Sequence, residues 1–386
     1  MKYNFSQVDF FDNHTHVLDM DKFHVTEEEF LRYYCHGPKY IYSENGMMIP
    51  SSKAIGCLRE QGVIHMLVHY LSQRFNCEET LEAVIACRNK AIKDKEHLEA
   101  YIQSLYEEEH IVASVLESEL PMNDPLSGCI PGQVFRLFRY EDAYFRLLQT
   151  ESTYYSLITK LKDRIQEAFR EGFVGLKGHV AENCGMDIHF VDAEEAEKNL
   201  VLAKEGDYQA KRAVYYAMFS EVLDLCGELH ASVHIHTGST GMGKNNGVYQ
   251  YDPILMVPFL GKGRYEKTNI VLLHGSYPFT RHAAMLSFNF SNIYVDMSQT
   301  LPWESLGMKT MFEEVIALAP HNRIIMGSGQ HGCPETAWLA AKTAKAALAK
   351  VAEDITEQGM LSDKQAQRLS KMILSENALR LYGVMK

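Results

Sequence analysis

Histidines are spaced for chemistry at three places along this chain. The first is Asp12-Asn13-His14-Thr15-His16, closing an apolar run that begins at Val8. Side chains alternate along a strand, so His14 and His16 project to the same side. Two imidazoles on one face of a strand end can share one divalent metal ion. On this motif alone, two surface histidines are an equal alternative. The second is Val233-His234-Ile235-His236-Thr237-Gly238. With Val233 and Ile235 turned toward helices, His234 and His236 face the opposite side. His236, nearer the strand end, is the better ligand; His234, one layer deeper, reads as a satisfied core histidine. The third is His274, which ends the apolar run Ile270–Leu273 and precedes the Gly275 turn. It can serve as a second ligand, as a general acid or base, or as the group that polarises a carbonyl.

A lysine stands in an equivalent position. Phe173-Val174-Gly175-Leu176-Lys177 is an apolar strand ending in an ammonium, which is costly to bury without a partner. Three readings are open: a carbamate bridging two metals, an ion pair with a carboxylate, or a contact to substrate.

These residues need strands that end on one common face. Candidate strands are Val8–Asn13, Val63–His69, Ile111–Leu116, Phe135–Tyr140, Phe173–Lys177, Ser232–His236, Ile270–His274, Asn292–Asp296 and Ile324–Gly327. Long amphipathic stretches lie between them. The clearest is Val214, Ala217, Met218, Val222, Leu225, Cys226 and Leu229, an apolar stripe at helical spacing. This alternation predicts a (β/α)8 TIM barrel of the α/β class. Inserted helical segments follow the first strands, and a helical cap covers Ser362–Leu381. The nine candidates exceed the eight places of a barrel by one, and Ile111–Leu116 and Phe135–Tyr140 fit least well. Residues 1–386 read as one domain, with a lid or peripheral insertion at 18–52 and a loop rich in Pro and Gly over 121–133.

Composition excludes several classes of function. The 386 residues are 46% hydrophobic, enough for a large core. A formal charge of −12, from 50 acidic residues against 38 Lys and Arg, disfavours nucleic acid and anionic membrane as partners. No run of eighteen apolar residues predicts a membrane span. The start Met1-Lys2-Tyr3-Asn4-Phe5 carries no leader pattern, and the eight cysteines form no CxxC pair. A cytoplasmic protein with reduced thiols is expected, acting on a small molecule, either as a monomer or as a homo-oligomer.

The order HxH, strand-end Lys177, His236-Thr237-Gly238, His274-Gly275-Ser276-Tyr277-Pro278, Gly327-Ser328 with His331, and Pro334-Glu335 resembles the amidohydrolase superfamily in its amidohydrolase 2 branch. Within that branch it is most similar to the FluG-type amidohydrolase domain, here without the glutamine-synthetase-like domain often fused to it. The resemblance implies metal-dependent hydrolysis of an amide or related bond, with one or two ions of zinc or, alternatively, manganese. It makes His14, His16 and His236 the metal ligands, with Lys177 as a carbamate ligand if two ions bind, and makes His274 a site histidine. Arg136, Arg139, Arg281 and Tyr277 are candidates to hold a substrate carboxylate, as in γ-glutamyl amides, although at least one of the arginines is expected to be a surface ion pair.

Two departures bear on activity. The family's eighth strand ends in Gly-Ser-Asp, whose aspartate binds metal and takes a proton from the attacking water; here Met326-Gly327-Ser328-Gly329-Gln330-His331 puts Gly329 in that place. A general base contributes about 10²–10⁴-fold in rate, so the chain is expected to be impaired unless another group substitutes. His331 is one such group, although it already matches the histidine that follows the aspartate in this branch. After Lys177, Glu182-Asn183 stands where FluG-type domains carry Tyr-Arg, which alters the substrate more than the chemistry. Two other functions suit the same residues: a decarboxylase of this branch, and a metal- or ligand-binding regulator that has lost turnover.

Overall fold

The structure is a computed structural model. It describes residues 2–34, 41–42, 48–49, 52–117, 124–238, 248–261, 263–300 and 305–385. Among the described residues, nine parallel strands form the main sheet: β1 (Phe10–Leu18), β2 (Ile111–Glu117), β3 (Gln133–Arg139), β4 (Gly175–Gly178), β5 (Ser232–His236), β6 (Asn269–Leu273), β7 (Ile293–Asp296), β8 (Ile324–Ile325) and β9 (Gln330–Gly332). The last two are halves of one stave. β8 pairs with β7 and β9 with β1, so the segment from Ile324 to Gly332 joins the two edges of the sheet into a TIM-type barrel.

The surplus candidate among the nine strand segments is Val63–His69, which lies inside the helix Gly62–Phe75. Its buried Val63, Leu67 and Leu71 recur every four residues, a helical spacing that a seven-residue window of apolar and β-branched residues hides. Ile111–Leu116 and Phe135–Tyr140, which fitted least well, both supply barrel strands.

Two apolar layers hold the barrel together. Inside it, Phe11, Val115, Phe135, Leu137, Val271, Leu273 and Ile325 fill the space between staves. Outside it, a larger cluster packs the opposite faces of the strands against helices such as Tyr208–Glu228 and Pro334–Glu357. The predicted C-terminal cap is the helical run from Asp363 to Leu381. It ends by inserting Tyr382, which stacks on Phe11 and Phe135 at centroid distances of 5.6 and 5.4 Å. The Tyr382 hydroxyl donates to Asn13 Oδ1 at 2.7 Å and lies 3.1 Å from His234 Nε2.

The connection at 18–52 contains the helix Glu27–Tyr34; its residues 35–40, 43–47 and 50–51, like 121–123 of the loop at 121–133, lie outside the described residues. Tyr34 donates to Glu335 at 2.6 Å, and the buried Arg88 pairs with the same carboxylate at 2.6 Å. This ties the first connection to the start of the last long helix. Among the described residues, no helix is long and apolar enough to cross a membrane, and the described cysteines are free thiols.

Candidate metal centre

The C-terminal ends of the staves converge on one cluster. β1 carries a bulge: Asp12 is opposite Ser114 and Thr15 opposite Leu116, three steps against two. Bulges re-aim side chains next to sites, and this one lies at His14. The His14 ring lies 5.0 Å from that of His16, 5.1 Å from His274 and 6.3 Å from His236, and His236 lies 4.9 Å from His274. Among the described residues, two sets have donor atoms that all lie within 4.8 Å of one another: His14 with His236 and His274, and His14 with His16 and Glu117. The expected trio of His14, His16 and His236 is divided between these sets, with His14 common to both.

His14 is fully buried, and neither ring nitrogen has a hydrogen-bond partner among the described residues. Leaving buried polar atoms unpaired costs about 1–3 kcal/mol each. An imidazole at the meeting point of other donors that accepts this cost suits a divalent cation. Two or three nitrogens with one carboxylate oxygen is also a donor set that zinc takes. The residues present fit a metal.

Lys177 Nζ sits at 2.5 Å from Glu117 Oε2 and 2.6 Å from His236 Nε2, and both Lys177 and Glu117 are buried. Of the three readings of Lys177, the arrangement here is the ion pair. Burial would push the Glu117 carboxyl up, but the Lys177 ammonium and the nearby imidazoles hold it well below the usual carboxylate range. Arg139 Nε lies 3.5 Å from the other Glu117 oxygen.

His236 Nδ1 lies 2.5 Å from Glu182 Oε1, which orients the ring and leaves Nε2 toward the centre. His179, just past β4, packs edge-on against His236 at 4.6 Å and is held by Glu141, which accepts from its backbone N–H at 2.7 Å and lies 2.9 Å from its Nδ1. Glu141 also accepts from Asn183 Nδ2 at 2.9 Å and from the Tyr215 hydroxyl. His274 has φ +72, a strained conformation for a residue with a side chain, and its Nδ1 lies 3.1 Å from Ser298 Oγ. Asp12 accepts from the Ser328 N–H at 2.7 Å and the Ser328 hydroxyl at 2.6 Å; burial nonetheless pushes its carboxyl up to about 7.

Burial, reinforced by the repulsion of Lys177, pushes the His234 imidazole down to about 3. An unfolded histidine titrates near 6.5, so the folded chain binds this proton less readily than the unfolded one. The stability contribution is full above that value and is lost as pH falls from about 6.5 toward about 3. The buried His14, His236 and His274 shift in the same direction, again mainly through burial. Thermal melting of the metal-free chain should therefore decline across this window, and less steeply for His234→Gln. Superimposable profiles would show that His234 carries none of the effect.

The other predicted site residues divide. His331 is exposed and stacks on His16 at 3.6 Å between centroids, at the mouth of the barrel. Arg139 lies beside Glu117, within the cluster. Arg136 does not join it: three positions back on β3 it points to the other face, over the Phe173 ring at 5.3 Å. Arg281 is highly exposed and pairs with Glu314 at 3.0 Å, as expected for at least one arginine of the three. Tyr277 packs partly against the outer core, next to the link between the Thr237 and Ser276 hydroxyls at 2.6 Å.

Gly329 adopts φ +65 between the two halves of the last stave, and its N–H donates to the His14 carbonyl at 2.7 Å. A Cβ there would lie 2.0 Å from Gln299 Cγ. The space beside the glycine is thus filled by another side chain.

Sequence reading missed Glu117, His179, Glu141 and Gln299, and took Glu182 only as a departure from a pattern. Glu117 and His179 were legible as polar residues just past the ends of apolar strands. Glu141 and Gln299 each act on the neighbouring stave, far along the chain, and leave no local signal.

A family model described as amidohydrolase matches residues 161–384. Protein fluG of Emericella nidulans (strain FGSC A4) is 32% identical over 145 residues, 37% of this chain and 16% of that protein, so the match spans a small part of its length. Among solved structures, a protein of Lactobacillus casei ATCC 334 described as a metal-dependent hydrolase superposes with a TM-score of 0.80 at 19% identity, over 98% of this chain and 97% of that one. The uronate isomerase of Thermotoga maritima gives a TM-score of 0.68 at 16% identity, over 98% and 95%. These two likenesses are of fold.

Proposed function

This chain belongs to the amidohydrolase family, and from that premise we propose that it is a metal-dependent hydrolase of a small, carboxylate-bearing amide such as a γ-glutamyl amide, slow as it stands. One observation carries the reading: the buried His14, with no partner for either nitrogen among the described residues, stands where His16, His236, His274 and Glu117 converge.

His14, His16 and Glu117, or His14, His236 and His274, would hold the ion, zinc or manganese. Such an ion, when bound, lowers the pKa of water toward neutrality and polarises a carbonyl. Burial keeps His14, His236 and His274 neutral, the form that ligates. Glu182 fixes the orientation of His236, and Ser298 that of His274; where His14, His16 and Glu117 hold the ion, His274 would stabilise charge growing on a substrate oxygen. Arg139, beside Glu117, supplies a guanidinium for a substrate carboxylate. Gly329 supplies no carboxylate to take a proton from water, and this makes turnover slow.

His14→Ala should raise the dissociation constant for zinc by about 100-fold or more, beyond the effect typical of residues that only support ligands. It should also abolish hydrolysis of a γ-glutamyl amide panel, measured as amine release. A chelator should abolish activity in the parent and excess zinc restore it. Carbon dioxide release without amine release would replace hydrolysis by decarboxylation. Zinc binding with no turnover on any substrate would favour the second reading, a regulator that binds metal and ligand; Gln299, filling the space beside Gly329, favours that reading.

A further inference from the structure

Gln299 follows β7 at the mouth of the barrel. It is buried, with φ +55, an unusual backbone for a side chain of this size. Its N–H donates to the Ser328 carbonyl at 3.2 Å, holding it against the turn between the halves of the last stave. Its side chain passes over Gly329 and brings its amide nitrogen to 3.3 Å from His331 Nε2. The His331 ring lies on that of His16 at 3.6 Å, with 19° between planes. A continuous path therefore runs from a bare glycine, through an amide, to an imidazole stacked on a candidate ligand.

We infer that Gln299 is a positioning residue of the metal site, holding His331 flat on His16, and that Gly329 is its coupled partner, because only a residue without a Cβ leaves the amide this route. The inference rests on the metal reading above. Neither residue touches substrate in this account; each acts through the orientation of His16. Residues that orient metal ligands typically change affinity by about 10–100-fold when removed.

The test is the zinc affinity of the full chain, measured by competition with a chelating dye, with each variant's melting curve as a check on folding. Gln299→Ala should raise the zinc dissociation constant by about 10-fold or more. Gln299→Met occupies a similar volume without the hydrogen bond, and should lose as much if the amide, not packing, holds His331. Gly329→Ala should lose affinity in the same direction, since its Cβ would displace the amide. The double variant Gln299→Ala with Gly329→Ala should bind zinc no more weakly than Gln299→Ala alone, because the added Cβ then displaces nothing. Unchanged affinity in Gln299→Ala and Gln299→Met, or losses that multiply in the double variant, would overturn the inference and leave the metal reading standing. A parent chain that binds no zinc overturns both.

Discussion

Gly329→Asp combined with Gln299→Ala is expected to raise kcat/KM for a γ-glutamyl amide by about 10²–10⁴-fold at saturating zinc, the range that a general base contributes. Gly329→Asp alone should gain far less. The backbone at Gly329 is left-handed, which aspartate tolerates better than most residues. The obstacle is the neighbour: the first carbon of any side chain there meets Gln299 Cγ at 2.0 Å. Shortening Gln299 opens the space in which the carboxylate must sit. Steady-state kinetics on the parent, both single variants and the double variant would measure the coupling directly. A double variant no faster than the parent would remove the missing carboxylate as the cause of slow turnover. Glu182 or His331 would then be examined as the base already in use.

The second large effect concerns Lys177. Lys177→Met leaves Glu117 buried beside Arg139 and the imidazoles, without the ammonium that now lies 2.5 Å from it. Removing one partner of a buried ion pair costs about 3–5 kcal/mol, so urea denaturation of the metal-free variant should show a loss of that order. Zinc should then recover more stability in the variant than in the parent, because a bound cation takes over the charge that Lys177 supplied. Binding at a hundred times the dissociation constant adds about 2.7 kcal/mol. An equal zinc increment in both chains would mean that the ion and the ammonium answer different charges, and that Glu117 is not a ligand.

Much of this site can be read along the sequence because a barrel converts linear position into spatial position. Any residue at the C-terminal end of a stave arrives at the same mouth, so His14, His16, Lys177, His236 and His274 could be assembled without a structure. What failed were judgements that need the third dimension. Val63–His69 shows the composition of a strand and the spacing of a helix, and a short window favours composition. Arg136 and Arg139 share a strand, but they are an odd number of positions apart and so face opposite sides. Arg281 lies only seven residues past His274, on a helix that carries it out to solvent. The division of the predicted trio into two sets that share His14 is a matter of distances across the mouth, which no strand pattern supplies. The occupied space beside Gly329 is invisible to any local reading, since Gln299 is thirty residues away.

The insertion of Tyr382 into the base of the barrel bears on how the chain is made. Synthesis runs from the amino end, so this ring is added after every stave it braces. Until then Phe11 and Phe135 lack the aromatic surface that covers them, and Asn13, the neighbour of His14, lacks a donor. The nascent barrel thus carries an unfinished floor beside the neighbour of His14. Packing beneath the mouth is thus completed from below, by a side chain made after all the staves.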